Sequence, residues 1–258
     1  MKIRSDVELA NLTDVGCERT ANEDYYCYVE PDEEDQFLRR GRLAVVADGM
    51  GGHTGGQVAS GLAVDALRDT FLDENAPVDP QAVLVAGFTR AQQAIVGEAA
   101  LRPQLNGMGT TCTAVIVRGG ELIYGHIGDS RLYLLRDGWL TQLTEDHTLV
   151  NHLVKSGAIT SEQAAVHEKR NVLTAALGMR SDQVAADFSN EPVQLREHDV
   201  IVLASDGLHG LVSSEEIRTA VSTQAAYEAC HTLVNLARQR GGPDNITVQI
   251  LKILREPA

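Results

Sequence analysis

Short apolar runs rich in β-branched residues recur along the chain, and several end at an acidic residue. Leu43-Ala44-Val45-Val46-Ala47 precedes Asp48-Gly49, residues 122–127 precede Gly128-Asp129, and Val200-Ile201-Val202-Leu203-Ala204 precedes Ser205-Asp206-Gly207. Asp244-Asn245 opens a further run at Ile246. Alternation and β-branching predict strands over residues 7–12, 24–29, 42–47, 111–118, 121–126, 131–136, 184–188, 200–204 and 246–253. Between 111 and 143 the pattern is broken only by Gly119-Gly120, Gly128-Asp129 and Asp137-Gly138, spacings that predict hairpins and hence antiparallel strands.

Helical spacing appears at Leu84, Phe88, Ala91 and Ile95, with Asp79 as N-cap and Pro80 in the first helical position. It returns at Ala226, Cys230, Leu233, Val234 and Ala237, and Gly241-Gly242-Pro243 stops it. A third helix is expected over 57–72. Hairpin series with helices in separate blocks predict a layered α+β fold. Residues 147–177 are polar and helix-permissive, and are read either as a lid or as two surface helices without a role.

A buried strand followed by an acidic residue delivers a carboxylate to the rim of a sheet. Asp48, Asp129, Asp206 and Asp244 gathered on one rim would repel one another, and divalent cations with oxygen ligands would relieve that. Any single Asp-Gly is more simply a turn, as Asp137-Gly138 is expected to be, because it follows Arg136 rather than an apolar run. The eight histidines show no zinc spacing, so Mg²⁺ or Mn²⁺ is favoured over Zn²⁺. Two such ions about 3.5 to 4 Å apart can clamp a phosphoryl group. Arg19, a planar fork suited to phosphate, stands near Asn22, Glu23 and Asp24.

The chain has 258 residues, 43% of them hydrophobic, and no Pro/Ser-rich linker, which predicts one domain over 1–258. A balance of 36 acidic against 22 basic residues, net charge −14, argues against nucleic acid or an anionic membrane as partner. No apolar run approaches the roughly 20 residues that span a bilayer, and the N-terminus lacks a secretory apolar region. The expectation is a cytoplasmic monomer with its four cysteines reduced.

Seven motifs stand in order: Arg19-x-x-Asn22-Glu23-Asp24; Val46-Ala47-Asp48-Gly49-Met50-Gly51-Gly52-His53; Met108-Gly109-Thr110-Thr111; Gly128-Asp129-Ser130-Arg131; Thr144-x-Asp146-His147-Thr148; Ala204-Ser205-Asp206-Gly207-Leu208; and Gly242-x-Asp244-Asn245-Ile246-Thr247-Val248. In these the chain resembles the metal-dependent protein serine/threonine phosphatases of the protein phosphatase 2C type, in their compact bacterial form.

The resemblance implies a four-layer αββα sandwich, two antiparallel sheets flanked by helices, with a flap over 147–177 near the metal site. It implies that Asp48 bridges two Mn²⁺ or Mg²⁺ ions, one of them also held by the Gly49 carbonyl, and that Asp206 and Asp244 ligate the other. Asp129, with Asp206, would hold a weaker third ion. Glu23 and Asp24 would act through water, with Asn245 supporting the ligands, and Arg19 would bind substrate phosphate. Substrates would be phosphoserine and phosphothreonine proteins, attacked directly by metal-activated water, and a Ser/Thr kinase would be the opposing partner. Animal enzymes carry a candidate general-acid histidine two residues after the bridging aspartate. Here that residue is Met50, and His53 is the substitute, its ordinary pKa near 6.5 being suited to proton donation.

Three other readings were weighed. Cys112 and Arg118 have the spacing of a tyrosine phosphatase, but the residues between them read as a buried strand. The glycines of 49–56 fit no nucleotide-binding register. A catalytically silent phosphoprotein- or kinase-binding module should have lost a metal aspartate, and none is missing.

Overall fold

The computed structural model describes residues 3–51, 54–179 and 184–255. Its strands are β1 (Val7–Asp14), β2 (Asp24–Val29), β3 (Arg42–Met50), β4 (Gly109–Thr110), β5 (Cys112–Arg118), β6 (Glu121–Ile127), β7 (Arg131–Arg136), β8 (Trp139–Gln142), β9 (Asp187–Phe188), β10 (Val193–Gln194), β11 (Val200–Ala204) and β12 (Ile246–Ile253). Its helices are α1 (Glu34–Arg40), α2 (Gly55–Leu72), α3 (Pro80–Leu101), α4 (Leu149–Lys155), α5 (Ser161–Ala165), α6 (Asp206–His209), α7 (Ser214–Thr223) and α8 (Ala226–Gln239).

The two-residue period of the strands sorts their apolar side chains into separate layers. From β3, Leu43, Val45 and Ala47 face α2 and α3, while Ala44 and Val46 face the opposite sheet. From β11, Val200, Val202 and Ala204 face α7 and α8, while Ile201 and Leu203 meet the β3 side in the middle. Both runs are apolar throughout because both of their faces are covered. The result is helix, sheet, sheet, helix, with β1-β12-β11-β7-β8 in one sheet and β10-β6-β5-β3-β2 in the other, where β4 joins β3 and β9 joins β6. Phe71 and Phe88, fully buried between the helices and the seven-stranded sheet, contribute about 1.5 to 3 kcal/mol each through apolar burial.

Asp79 caps α3 as expected, its carboxylate accepting from the Ala82 N–H at 2.8 Å. Asp137 and Gly138 both take positive φ, 51° and 79°, in the tight turn that pairs Arg136 with Trp139. Asp137 is therefore a turn residue.

One expected hairpin is not a hairpin. Gly128-Asp129 joins β6 to β7, which lie in different sheets, so it is a crossover. Gly128 has φ of 105°, and a Cβ there would fall 2.5 Å from Thr111 Cβ, so only glycine lets the chain leave the seven-stranded sheet at this point. The strand expected over 184–188 shrinks to Asp187–Phe188, and β8, β10, α1 and α7 were not foreseen.

The 147–177 segment carries α4 and α5 and is tethered at its base. Thr148 bridges to Leu173 and Thr110 bridges to Leu177, while Gln92 of α3 accepts from Gly178 N at 2.7 Å.

Candidate metal site and its cleft

Asp24 and Asp48 are directly opposed on β2 and β3. Asp206 follows β11, Asp244 precedes β12, and Asp129 lies on the crossover, so acids from both sheets reach the same rim. Asp48 feels the charges of Asp24, Asp206, Asp129 and Asp244 together.

Small hydroxyl residues hold this rim in place. The Asp48 N–H donates to Thr111 Oγ1 at 2.9 Å, and the Asp48 carbonyl accepts from Thr111 N at 2.9 Å and Thr110 Oγ1 at 2.8 Å. Thr111 Oγ1 lies 2.8 Å from Ser130 Oγ. Asp24 accepts from Ser205 Oγ at 2.8 Å and Thr247 Oγ1 at 2.6 Å. Asn245 is a buried strut: its side-chain oxygen accepts from Glu23 N at 2.7 Å, and its amide donates to the carbonyls of Val15 and Ala21. Glu23 is buried, and its carbonyl accepts from Gly49 N at 3.2 Å and Ser60 Oγ at 2.6 Å.

Burial, and then the neighbouring acids, push the rim carboxyls upward. Asp24 is raised to about 7, chiefly by burial, with the hydroxyls of Thr247 and Ser205 opposing and Asp206 and Asp244 adding. Asp129 is raised to about 8 by burial and then by Asp206. Asp48 lies well above the usual carboxylate range, first through burial and then through Asp24. Asp206 is raised by burial and then by Asp244.

Two buried oxygens here, Asp24 Oδ1 and Asp206 Oδ1, have no hydrogen-bond partner. Buried polar atoms are almost always paired, so these two oxygens fit the role of cation ligands. Among the described residues no three His, Cys, Asp or Glu side chains close on one point as a finished cage.

Arg19 reaches the rim, but its Nη2 contacts Asp244 Oδ2 at 2.8 Å, so an expected phosphate ligand pairs with an expected metal ligand. Burial lowers its pKa, but Asp244, then Glu23 and Asp48, more than offset this and raise it. A cation at Asp244 would compete for that carboxylate and free the guanidinium for an anion. Met50 is half-buried and has no proton to give. His53 lies outside the described residues.

Three groups near the rim have no role in the sequence reading. Arg131 forks onto Asp146, with Nε to Oδ1 at 2.9 Å and Nη2 to Oδ2 at 2.6 Å. His147 grips Gly128, its N–H donating to the Gly128 carbonyl at 2.7 Å and its Nδ1 accepting from Gly128 N at 3.2 Å. His209 donates from Nε2 to the Asp129 carbonyl at 3.0 Å, and burial followed by nearby Arg131 lowers its pKa to about 3. Arg131, Asp146 and His147 stand in recognised motifs without an assigned role, whereas His209 carries no sequence signal beyond its place three residues after Asp206.

A cleft of about 730 Å³ opens over these residues. Arg19, Asp129, Asp206 and Asp244 line it together with Val154 of α4 and Ala164 of α5. The arrangement offers negative charge for cations, one guanidinium for an anion, and room for more than a single phosphorylated side chain.

Residues 23–247 match the protein phosphatase 2C family. The chain is 37% identical over 255 residues to the protein phosphatase PhpP of Streptococcus pneumoniae, covering 98% of this chain and 100% of that protein. It is 41% identical over 227 residues to the serine/threonine protein phosphatase PstP of Mycobacterium tuberculosis, covering 88% of this chain but only 43% of the length of that protein. Its fold superposes on the crystal structure of the M. tuberculosis phosphatase PstP/Ppp with a TM-score of 0.85 at 39% identity, covering 96% and 99% of the two chains. The PstP catalytic domain in complex with two manganese ions gives a TM-score of 0.81 at 38% identity, covering 96% and 98%.

Proposed function

The chain belongs to the protein phosphatase 2C family, and from that premise we propose that it is a metal-dependent protein serine/threonine phosphatase. The reading is carried by one observation: carboxylates from two sheets and a crossover share a rim that keeps two buried, unpartnered oxygens beneath a cleft containing Arg19.

In this reading Asp48, the Gly49 carbonyl, Asp206 and Asp244 would hold two core ions, and Asp129 with Asp206 would hold a third more weakly. The two manganese ions of the PstP relative support the core pair. When bound, hard divalent ions lower the pKa of water and neutralise charge on phosphoryl oxygens. Glu23 and Asp24 order water beside them, with Asn245 fixing the Glu23 backbone. Arg19 turns from Asp244 to the substrate phosphate and orients phosphorus for in-line attack. His53 donates a proton to the leaving alkoxide of serine or threonine.

No phosphoenzyme forms. Burial raises the pKa of the Cys112 thiol far above neutrality, which removes it as a nucleophile. No helix among the described residues is long and apolar enough to cross a membrane. A monomer in the cytoplasm, opposing a Ser/Thr kinase, is the setting that suits the reading.

The test is hydrolysis of a phosphothreonine peptide and of p-nitrophenyl phosphate with Mn²⁺ or Mg²⁺. Turnover that EDTA abolishes supports the reading. Absence of turnover, or turnover that survives EDTA, overturns it.

A further inference from the structure

The α6 helix is a single turn with a site residue at its start and an unexplained histidine at its end. Asp206 opens it, and His209 closes it with the 3.0 Å hydrogen bond from Nε2 to the main-chain carbonyl of Asp129. Asp206 and Asp129 lie just beyond the end of one antiparallel pairing. The β11–β7 ladder stops where Ala204 faces Arg131, two residues short of each carboxylate. Past that last rung no sheet hydrogen bond fixes how far apart the two acids stand. The side chain of His209 spans that gap.

Both partners of this bond are otherwise held firmly. On the α6 side, a Cβ on Gly207 would fall 1.9 Å from the Asn245 carbonyl oxygen, so the turn is seated hard against the start of β12. On the crossover side, His147 grips Gly128 through both of its backbone groups. Asp129 thus sits between a residue clamped by one histidine and a carbonyl clamped by another. Its side chain lines the same cleft as Asp206, whose Oδ1 is buried without a partner.

We propose that His209 is a positioning residue that sets the spacing of Asp129 and Asp206 and, through it, the affinity of the weaker cation these two carboxylates share. This rests on the metal-site reading given above. Groups that orient metal ligands typically change metal affinity 10- to 100-fold when removed. The effect should fall chiefly on the shared site, because the His209 hydrogen bond is to Asp129, which takes part in that site alone, whereas the core ions keep Asp48, the Gly49 carbonyl and Asp244 besides Asp206.

The test is Mn²⁺ titration, followed by electron paramagnetic resonance of the free ion, of the wild type, H209M and H209Q. Methionine fills similar volume without a donor, and glutamine can restore an N–H. H209M should weaken the third ion about tenfold or more and leave the two tight ions within about twofold. H209Q should recover most of the loss. At low Mn²⁺, kcat of H209M for p-nitrophenyl phosphate should fall with KM unchanged, and added Mn²⁺ should restore it.

A merely structural role would instead lower the thermal midpoint of the metal-free protein and weaken all the ions together, and that result overturns the proposal. So does an H209M titration identical to wild type, or a wild type that binds only two ions. If H209M does not fold, H209S serves as the donor-poor variant under the same criteria. A wild type that neither binds Mn²⁺ nor hydrolyses phosphate overturns the phosphatase reading and this proposal with it. A wild type that does both while H209M matches it overturns the role of His209 alone.

Discussion

At its first residue β3 buries Arg42 among acids, with Asp6 at 2.8 Å and Glu30 at 3.6 Å, whereas near its far end the same strand sets Asp48 among further acids. The first end is balanced within the protein. Arg42 and Glu30 are almost wholly buried, with side-chain exposures of 3% and 1%, and Phe37 stacks against the guanidinium. Arg136 on Asp199 and Arg131 on Asp146 repeat this pattern elsewhere. At the Asp48 end Arg19 approaches but is occupied by Asp244, and Arg131, on the same cleft, is committed to Asp146. A burial pattern that supplies arginines to acids at one place and withholds them at another marks the second as built for a cation from outside. Acidity alone would not separate the two ends, but internal compensation does.

The largest effect that would sharpen this contrast is loss of chemistry without loss of fold. Asp48→Asn should reduce kcat with Mn²⁺ by about a thousandfold or more, since several kcal/mol of transition-state stabilisation depend on the ions. The same change removes a repelled charge, so the metal-free protein should melt no lower than wild type at pH 8. A Asp48→Asn protein that unfolds would break the contrast.

The balanced end should respond in the opposite way. Arg42→Ala leaves Glu30 buried without its cation and should cost about 3 to 5 kcal/mol in chemical denaturation, while kcat of the folded fraction is retained. A cost below about 1 kcal/mol would show that the two ends are less different than their partners suggest.

Arg19 lies between these cases. Arg19→Ala should raise KM about tenfold, through loss of a charge-assisted phosphate contact, with a smaller effect on kcat. Stability should change by less than about 1 kcal/mol, because the Arg19–Asp244 pair is substantially exposed. An unchanged KM would remove Arg19 from the phosphate site.

The smallest effect concerns pH, and its sign differs between regions. Asp24 and Asp129 have folded values of about 7 and 8 against an ordinary 3.8, so their contribution to the metal-free fold is complete below 3.8 and lost as pH rises through those values. His126 is buried between Thr113 and the Glu145 carbonyl, and burial followed by His147 lowers it to about 4 against 6.5. Its contribution is complete above 6.5 and lost as pH falls toward 4. The slopes oppose each other from 4 to 6.5, and only the carboxylate slope remains from 6.5 to 8. In EDTA the free energy of unfolding should therefore fall over that upper window by on the order of 1 kcal/mol per pH unit per proton, seen as a lower thermal midpoint. Saturating Mn²⁺ should flatten it, and a slope that persists with Mn²⁺ would place the titrating groups elsewhere.

Much of this was legible in the chain because burial on both faces leaves a plain signature. The runs before Asp48 and Asp206 are apolar at every position, and both acids emerge where β3 and β11 meet the rim. A layered α+β arrangement followed from those runs together with the helical spacing of Leu84 to Ile95, whereas the four-layer order came with the family resemblance. Gly128-Asp129 misled because a three-residue link between two strands looks alike whether the second strand turns back or departs. What decides is the crowding of Gly128 against Thr111, a contact distant in sequence. β9 and β10 are two residues long, too short for any period to show. Asp146 and His209 act through partners on other elements, Arg131 of β7 and the Asp129 carbonyl, and no local pattern encodes such meetings.

The two bridges at the base of the 147–177 segment have a consequence for how this architecture can vary. Because Thr148 is held against Leu173, and Leu177 against Thr110, the excursion leaves and re-enters the body at a fixed seam. For a loop whose ends are already joined, each doubling of length adds only about 0.6 kcal/mol of closure entropy. The stretch between Thr148 and Leu173 can therefore be lengthened or shortened with the sheets and the acidic rim left undisturbed.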